Sequence, residues 1–254
     1  MNQVTRSFFQ RQKQEITLLF RSIPGSVLAL FVVSVVGMNL LANKSLDIPL
    51  PHFALDAGIL LSWVSFLSMD MITKHFGPKA ANQVAVFAVL VNLGMSLVFF
   101  LAALLPGMWG ESYVEGSEDL LNAALNHTFA GQWYVLLGST VAFLVSAIVN
   151  NVLSWAIGKA AKKDNAFVFY LRSYVSTAVG QFVDNLVFSL IVSVAFFGWT
   201  IPQVFVCASL GMVAELLMEV LFSPIGYHVS KKWKTAGVGK DYLALMQTPW
   251  RNNA

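Results

Sequence analysis

Residues 59–82 read ILLSWVSFLSMDMITKHFGPKAAN. A long apolar run meets a carboxylate at Asp70, then a short basic stretch, and stops at Gly77-Pro78. The solvent that suits such a run follows from the rest of the chain. Of 254 residues, 57% are hydrophobic and only 11% are charged, whereas soluble domains carry about 25% charged residues. The mean hydropathy is +0.67. So few charges cannot cover a water-soluble surface of this size, and the chain reads as an integral membrane protein. Its apolar stretches are near-continuous and about 20 residues long, the length of a spanning helix rather than of an alternating barrel strand. The expected fold class is all-α.

Six apolar segments are expected to span: Ile23–Ala42, Phe53–Ile72, Ala80–Leu105, Gln132–Ile157, Ala166–Phe197 and Val204–His228. The longest exceed what the hydrocarbon core requires and are expected to tilt or extend past the headgroups. The fifth is expected to turn at the interface around Tyr170–Arg172. The chain thus divides into an N-terminal arm (1–22), a six-helix membrane domain (23–230) and a C-terminal tail (231–254). Lys and Arg sort between the connections. Arg6, Arg11, Lys13 and Arg21 lie in the arm, Lys74 and Lys79 in the second-to-third connection, Lys159, Lys162 and Lys163 in the fourth-to-fifth, and Lys231, Lys232, Lys234, Lys240 and Arg251 in the tail. The remaining connections hold only Lys44, and the stretch from Pro106 to Gly131 has four acids and no base. The positive-inside rule then puts both termini in the cytoplasm, which an even number of crossings requires.

Several function classes fall away. The pI near 9.0 reflects topology signals rather than nucleic-acid binding. Cys207 is the single cysteine, so no intrachain disulfide forms, and no metal-ligand spacing accompanies it. No Gly-rich nucleotide loop occurs, so the chain carries no ATPase and no cofactor is expected. The first 22 residues read as an interfacial helix rather than a signal sequence, since no small-residue cleavage site follows the long apolar run. Asn126-His127-Thr128 matches the glycosylation pattern, a short and common one.

Chemistry is expected where polar groups sit in the wrong solvent. A charged side chain near the bilayer centre costs roughly 2.5–3.5 kcal/mol on insertion scales and normally faces a bundle interior or a wet cavity. Asp184 lies mid-span, with Gln181 one turn before it and Phe188 one turn after. Glu215 and Glu219 stand at i and i+4 on the sixth span, too close for two bare carboxylates, so a proton, a cation or a hydrogen-bond donor is required. Asn150 and Asn151 lie in the fourth span, and Trp155 is one turn beyond Asn151. Trp63 is two turns before Asp70. Trp63 and Trp155 share faces with polar groups, as suits a flat ligand stacked on rings and bonded at its edge. The bland assignments are interhelical hydrogen bonding for Asn92, solvation for Asp56, pairing with Lys74 for Asp70, and interfacial anchoring for Trp109, Trp133, Trp199 and Trp233. Polar groups converging from several spans at one depth are the mark of a carrier.

Three stretches resemble a known family. MDMITKHFGPKAANQVAVFAVLVNL, with Asp70, Thr73, Phe76-Gly77, Lys79 and Ala80-Ala81, resembles the signature of the VUT family, which includes the queuosine precursor transporters. GQFVDNLVFSLIVSVAF, with Gly180, Gln181, Asp184 and Phe188, resembles its fifth-span motif. EVLFSPIGYHVSKKWK, with Glu219, Pro224 and Tyr227, is similar to its last span. The likeness covers about Phe53 to Lys234. Two positions depart: members often carry an acid or another base where this chain has Lys74-His75, and a Lys near Ala214-Glu215. The resemblance implies an inner-membrane importer of a 7-deazaguanine or a related purine-like base, a small heterocyclic substrate taken through the lipid bilayer. Asp184 or Glu215 would take the donor edge, Asn150, Asn151 and Gln181 the other polar atoms, and Trp63, Trp155 or Phe188 the ring face. Asp70 and Glu219 would gate or couple. Asp70 would end the second span, and Gly77-Pro78 would make a tight inner turn, since Gly accepts unusual dihedrals and Pro suits a first helical turn. The alternatives are a substrate-binding subunit of an ATP-driven importer, a carrier for another flat vitamin-like solute, and an intramembrane enzyme. A homodimer fits a carrier of this size, although no residue specifies one.

Overall fold

A computed structural model describes residues 3–46, 55–110, 115–116, 118–160 and 166–247. The side chains of Asp70, Asn151, Trp155 and Glu219, four of the expected site residues, lie outside what is described. So do Lys162 and Lys163. The helices are α1 (Gln3–Ser22), α2 (Gly25–Leu41), α3 (Ile59–Phe76), α4 (Pro78–Leu104), α5 (Glu118–Ala130), α6 (Gln132–Ala160), α7 (Ala166–Phe188), α8 (Val194–Phe197), α9 (Ile201–Ala236) and α10 (Lys240–Gln247). A π-helical turn, Ser189–Ser193, joins α7 to α8. The described strands are two-residue pieces, β1 (Ser45–Leu46) and β2 (Leu55–Asp56), paired antiparallel with Ser45 opposite Asp56.

Among the described residues, Pro78–Leu104, Glu118–Asn150, Val175–Phe197 and Ile201–Phe222 are long and apolar enough to cross a membrane. Phe9–Ser22 and Gly25–Leu41, bent by 100° at their junction, make a fifth if they count as one span. The solvent is legible on α4. Its outward positions Leu90, Leu93, Leu97 and Leu101 are all more than half exposed, while Val84, Ala88, Asn92 and Ser96 on the inward face are 0–1% exposed. Large aliphatics outside and small or polar residues inside invert the pattern of a water-soluble helix.

The structure differs from sequence expectation in four places. α3 begins at Ile59 rather than Phe53, because Leu55–Asp56 pairs with β1 and the Asp56 carboxylate accepts the Gly58 N–H at 2.8 Å. Asp56 is therefore a half-buried turn-maker and not a solvated end group. The acidic stretch Pro106–Gly131 is half helix: α5 carries Asn126, whose Oδ1 accepts the Trp109 indole N–H at 2.8 Å, and Trp109 stacks on Phe129. No turn interrupts α7 around Tyr170–Arg172; the irregularity falls at Ser189–Ser193 instead. Trp199 and Trp233, expected as interfacial anchors, are 6% and 9% exposed.

The chain divides into two compact units, one of Met1–Ser34, Val64–Ala88 and Glu219–Ala254, the other of Val35–Trp63 and Val89–Met218. The first holds the α3–α4 turn. Gly77 sits at φ 90°, a conformation costly for any residue with a Cβ, and Pro78 opens α4. Around this turn Glu15 of α1 is 3% exposed and takes charge-assisted bonds from Lys79 and from Arg11, the latter at 3.2 Å. Arg11 also reaches the Leu245 carbonyl at 3.4 Å. His75 Nε2 lies 2.9 Å from the Val238 carbonyl, and Phe76 packs edge-on to Tyr242. Burial, and next the Glu15 charge, push the Tyr242 phenol above its ordinary range. Glu15→Ala removes the acceptor of both bases, and bonds to charged groups are worth about 1.5–3 kcal/mol each. Partial exposure of Lys79 and Arg11 reduces that, so a destabilisation of about 1–2 kcal/mol is expected, read as a lowered thermal midpoint of the detergent-solubilised protein.

Candidate functional site

The second unit brings α6, α7 and α9 together through small residues. A Cβ at Gly138 of α6 would lie 2.3 Å from Val192 Cγ2, one at Gly180 of α7 would lie 3.1 Å from Asn150 Cβ, and one at Gly211 of α9 would lie 2.8 Å from Asn185 Cγ. At each point a side chain of the neighbouring helix occupies the space that a missing Cβ leaves. Such close approach is how helices associate where lipid offers no hydrophobic drive.

Close packing delivers the polar groups. Ser146 and Asn150 stand one turn apart on α6, and the Ser146 hydroxyl lies 2.9 Å from Asp184 Oδ1 and 3.0 Å from the Phe143 carbonyl, either of which can accept its one proton. Asn185 Nδ2 donates to Glu215 Oε2 of α9 at 3.2 Å and to its own helix at Gln181 O, 2.9 Å away. Asp184 and Asp56 both lie within electrostatic reach of Glu215. One turn beyond Asn185, Ser189 of the π turn is buried, as is Cys207 of α9. Two acceptors remain unused: Asn150 Oδ1 and Gln181 Oε1 are shielded from solvent and accept no hydrogen bond. The Ser193 hydroxyl, in a residue with no exposed surface, is likewise unpartnered.

Asp184, Glu215, Asn150 and Gln181 thus fall within one unit, in one cluster of three helices. Glu215 has one donor beside it, the Asn185 amide of α7, while the Glu219 side chain lies outside what is described. Phe188 packs against the apolar cluster of Ala42, Val135 and Val192. The Trp63 indole N–H bonds the Leu60 carbonyl of its own helix at 2.9 Å. Asn92, expected to bond between helices, is 1% exposed, and neither side-chain polar atom has a partner among the described residues. Sequence reasoning did not single out Ser146. The signal for Ser146 was its i+4 spacing to Asn150 along a line of small residues through Gly138 and Ala142.

The π turn bears on the same cluster. A π turn inserts one residue into the helical register, and such turns are frequent at functional sites. Here the Tyr134 hydroxyl donates to the Ile191 carbonyl at 2.9 Å, satisfying a backbone acceptor within the turn.

A polytopic helical protein with buried carboxyl and amide groups gathered from three helices belongs to the class of membrane carriers. The model of the family described as "Putative vitamin uptake transporter" matches residues 56–229, and the chain belongs to that family, the VUT family of transporters. Comparison with curated proteins and with solved structures gives no match. The family's described activity is uptake rather than catalysis.

Gly211→Ala places a methyl group against the Asn185 amide and pushes it off Glu215. Overpacking of this kind costs about 1–3 kcal/mol. The expected outcome is a lower thermal midpoint together with weaker solute binding by calorimetry, whereas Gly94→Ala, where a Cβ meets open space, leaves binding unchanged.

Proposed function

We propose that this protein imports a 7-deazaguanine precursor of queuosine, or a closely related purine-like base, across the inner membrane. The observation that carries this reading is a pair of shielded, unengaged amide oxygens, Asn150 one turn beyond Ser146 on α6 and Gln181 one turn before Asp184 on α7, flanking the Ser146–Asp184 contact. A guanine-like edge presents adjacent N–H and NH2 donors, and a carboxylate accepts both as a bidentate pair. Asp184 Oδ1 lies against Ser146 but has a second lone pair, so both carboxylate oxygens can accept from the pair. Either amide can turn end for end to meet the adjacent carbonyl. Asn185 holds Glu215 in place, and Glu215 is suited to carry a coupled proton. From the family resemblance, Asp70 and Glu219 are assigned gating or coupling roles, and Asn151 and Trp155 contacts with the solute.

The expected result with purified protein is saturable binding of a 7-deazaguanine, with guanine as the comparison ligand, and its loss in Asp184→Asn. Ser146→Ala keeps binding with a modest loss, about threefold to tenfold for one hydrogen bond. A folded protein that binds no deazaguanine overturns the assignment.

The family description favours a second reading, uptake of another flat vitamin-like solute, either alone or as the membrane subunit of an ATP-driven importer. Co-purification of an ATPase would support the subunit form. Under either reading we place six spans across the bilayer with both termini in the cytoplasm, from the distribution of Lys and Arg. Reporter fusions at the two termini should both report cytoplasmic, and one at Glu118 should report the opposite side.

A further inference from the structure

We propose that the open face of α1 is a binding site for an acidic phospholipid, with Lys13 and Arg21 taking the headgroup phosphate and Phe9, Ile16 and Phe20 lying along the acyl chains. The inference concerns lipid recognition and does not depend on which solute is carried.

α1 has one buried face and one open face. Glu15 and Leu19 are buried. Glu15 is the single acid of this helix, and Arg11 and Lys79 hold it there, so the open face carries no negative charge. That face carries Phe9, 59% exposed, and Ile16, 43% exposed, with an exposed Lys13 between them. At 3.6 residues per turn, Phe9, Lys13, Ile16 and Phe20 fall within about 60° of one another around the axis. Thr17 and Arg21, both exposed, continue from Lys13 at successive fourth positions.

Geometry names what covers the apolar stripe. α1 meets α2 at a 100° bend, so with α2 along the bilayer normal α1 lies in the bilayer plane. Phe20 packs edge-on against Phe87 of α4, with ring centroids 4.7 Å apart. Phe87 and its neighbour Val86 are exposed on the outward side of a helix long and apolar enough to cross a membrane. The stripe on α1 therefore runs on into a lipid-facing surface, which puts the bases beside it at the level of the headgroups.

Charge selects among the headgroups. The first unit carries eleven Lys and Arg against four Asp and Glu, whereas the second carries five against nine. Neither Lys13 nor Arg21 makes an ion pair among the described residues. The two stand about 12 Å apart along the axis, with only Thr17 between them on that line. Thr17 is small and turns its hydroxyl back to the Lys13 carbonyl at 2.8 Å, so two long basic side chains can close on one phosphate above it. Bases set beside exposed aromatic and aliphatic side chains fit an anionic lipid surface. A soluble polyanion offers nothing to Ile16.

The test is native mass spectrometry of the full chain released from mixed micelles that hold equal amounts of phosphatidylglycerol and phosphatidylcholine. The expected result is a preference for phosphatidylglycerol that falls about fivefold with each of Lys13→Gln and Arg21→Gln, while Lys13→Arg keeps it. Both positions are exposed, and an unchanged thermal midpoint verifies that the variants fold. Lys231→Gln and Lys234→Gln, which remove the same charge from exposed positions on α9, leave the preference nearly unchanged. Ile16→Ser weakens both lipids alike. Equal losses in the α1 and α9 variants replace the local site with a diffuse field and overturn the proposal, as does wild-type protein that binds the two lipids equally. Calorimetric binding of inorganic phosphate that is lost in Lys13→Gln and Arg21→Gln, with no preference between the lipids, assigns the pair to a soluble anion and overturns the lipid assignment.

Discussion

A carboxylate inside a hydrocarbon layer must be given partners, and much of the second unit follows from giving them to Asp184 and Glu215. Hydrogen bonds reach only about 3 Å, so the partners have to sit on helices that approach closely. Close approach demands small residues at the contact, which is where Gly138, Ala142, Gly180 and Gly211 are found. The same lines of residues then carry the polar groups: Tyr134, Gly138, Ala142, Ser146 and Asn150 recur every fourth position on α6, and Gly211 precedes Glu215 by four on α9. Glycine lets the backbone near, and the polar residue one turn on uses the nearness. Asn185 shows both effects, lying against the bare face of Gly211 while it donates to Glu215.

The π turn fits this arrangement. Along α7 the residues Gln181, Asn185, Ser189 and Ser193 recur every four positions, a spacing that drifts around a regular helix. Widening the helix at Ser189–Ser193 changes the phase there, and both Ser189 and Ser193 stay buried. The turn shifts the usual backbone ladder, and the Tyr134 hydroxyl donates to the Ile191 carbonyl. Deviations from α-helix thus appear where the polar line has to be kept inside.

The class of fold was legible in the sequence because lipid imposes a coarse demand, long apolar runs with sparse charge, which composition records directly. Asp184, Gln181, Asn150 and Glu215 were legible for a related reason, since a polar group in such a run stands out against it. Other features were not. Serine in an apolar helix is common and bonds its own backbone as readily as a neighbour, so nothing in the sequence separated Ser146 from Thr140, whose hydroxyl returns to Leu136. The role of Asn185 depended on which helix lay across from it, a tertiary fact. Asp56 and the bounds of α3 were misjudged because an apolar strand piece and an apolar helix turn look alike over a few residues. Trp199 and Trp233 were placed by a statistical preference for interfaces, and local packing overrode it.

The stop at Gly77-Pro78 has a structural account that the sequence gives only in part. Local dihedrals explain why the chain can turn there, but a turn between two apolar helices is held by what surrounds it. In the first unit it is held by residues far away in sequence. Glu15 of α1 takes up Lys79 just past the turn, and Val238 accepts from His75 just before it. Phe76 is enclosed by Trp233 and Tyr242. Both ends of the chain therefore converge on one short connection, and a buried acid, Glu15, is the joint between them. Burying a charged group is worthwhile only where its partners are fixed, and here they come from α1 itself and from the first turn of α4.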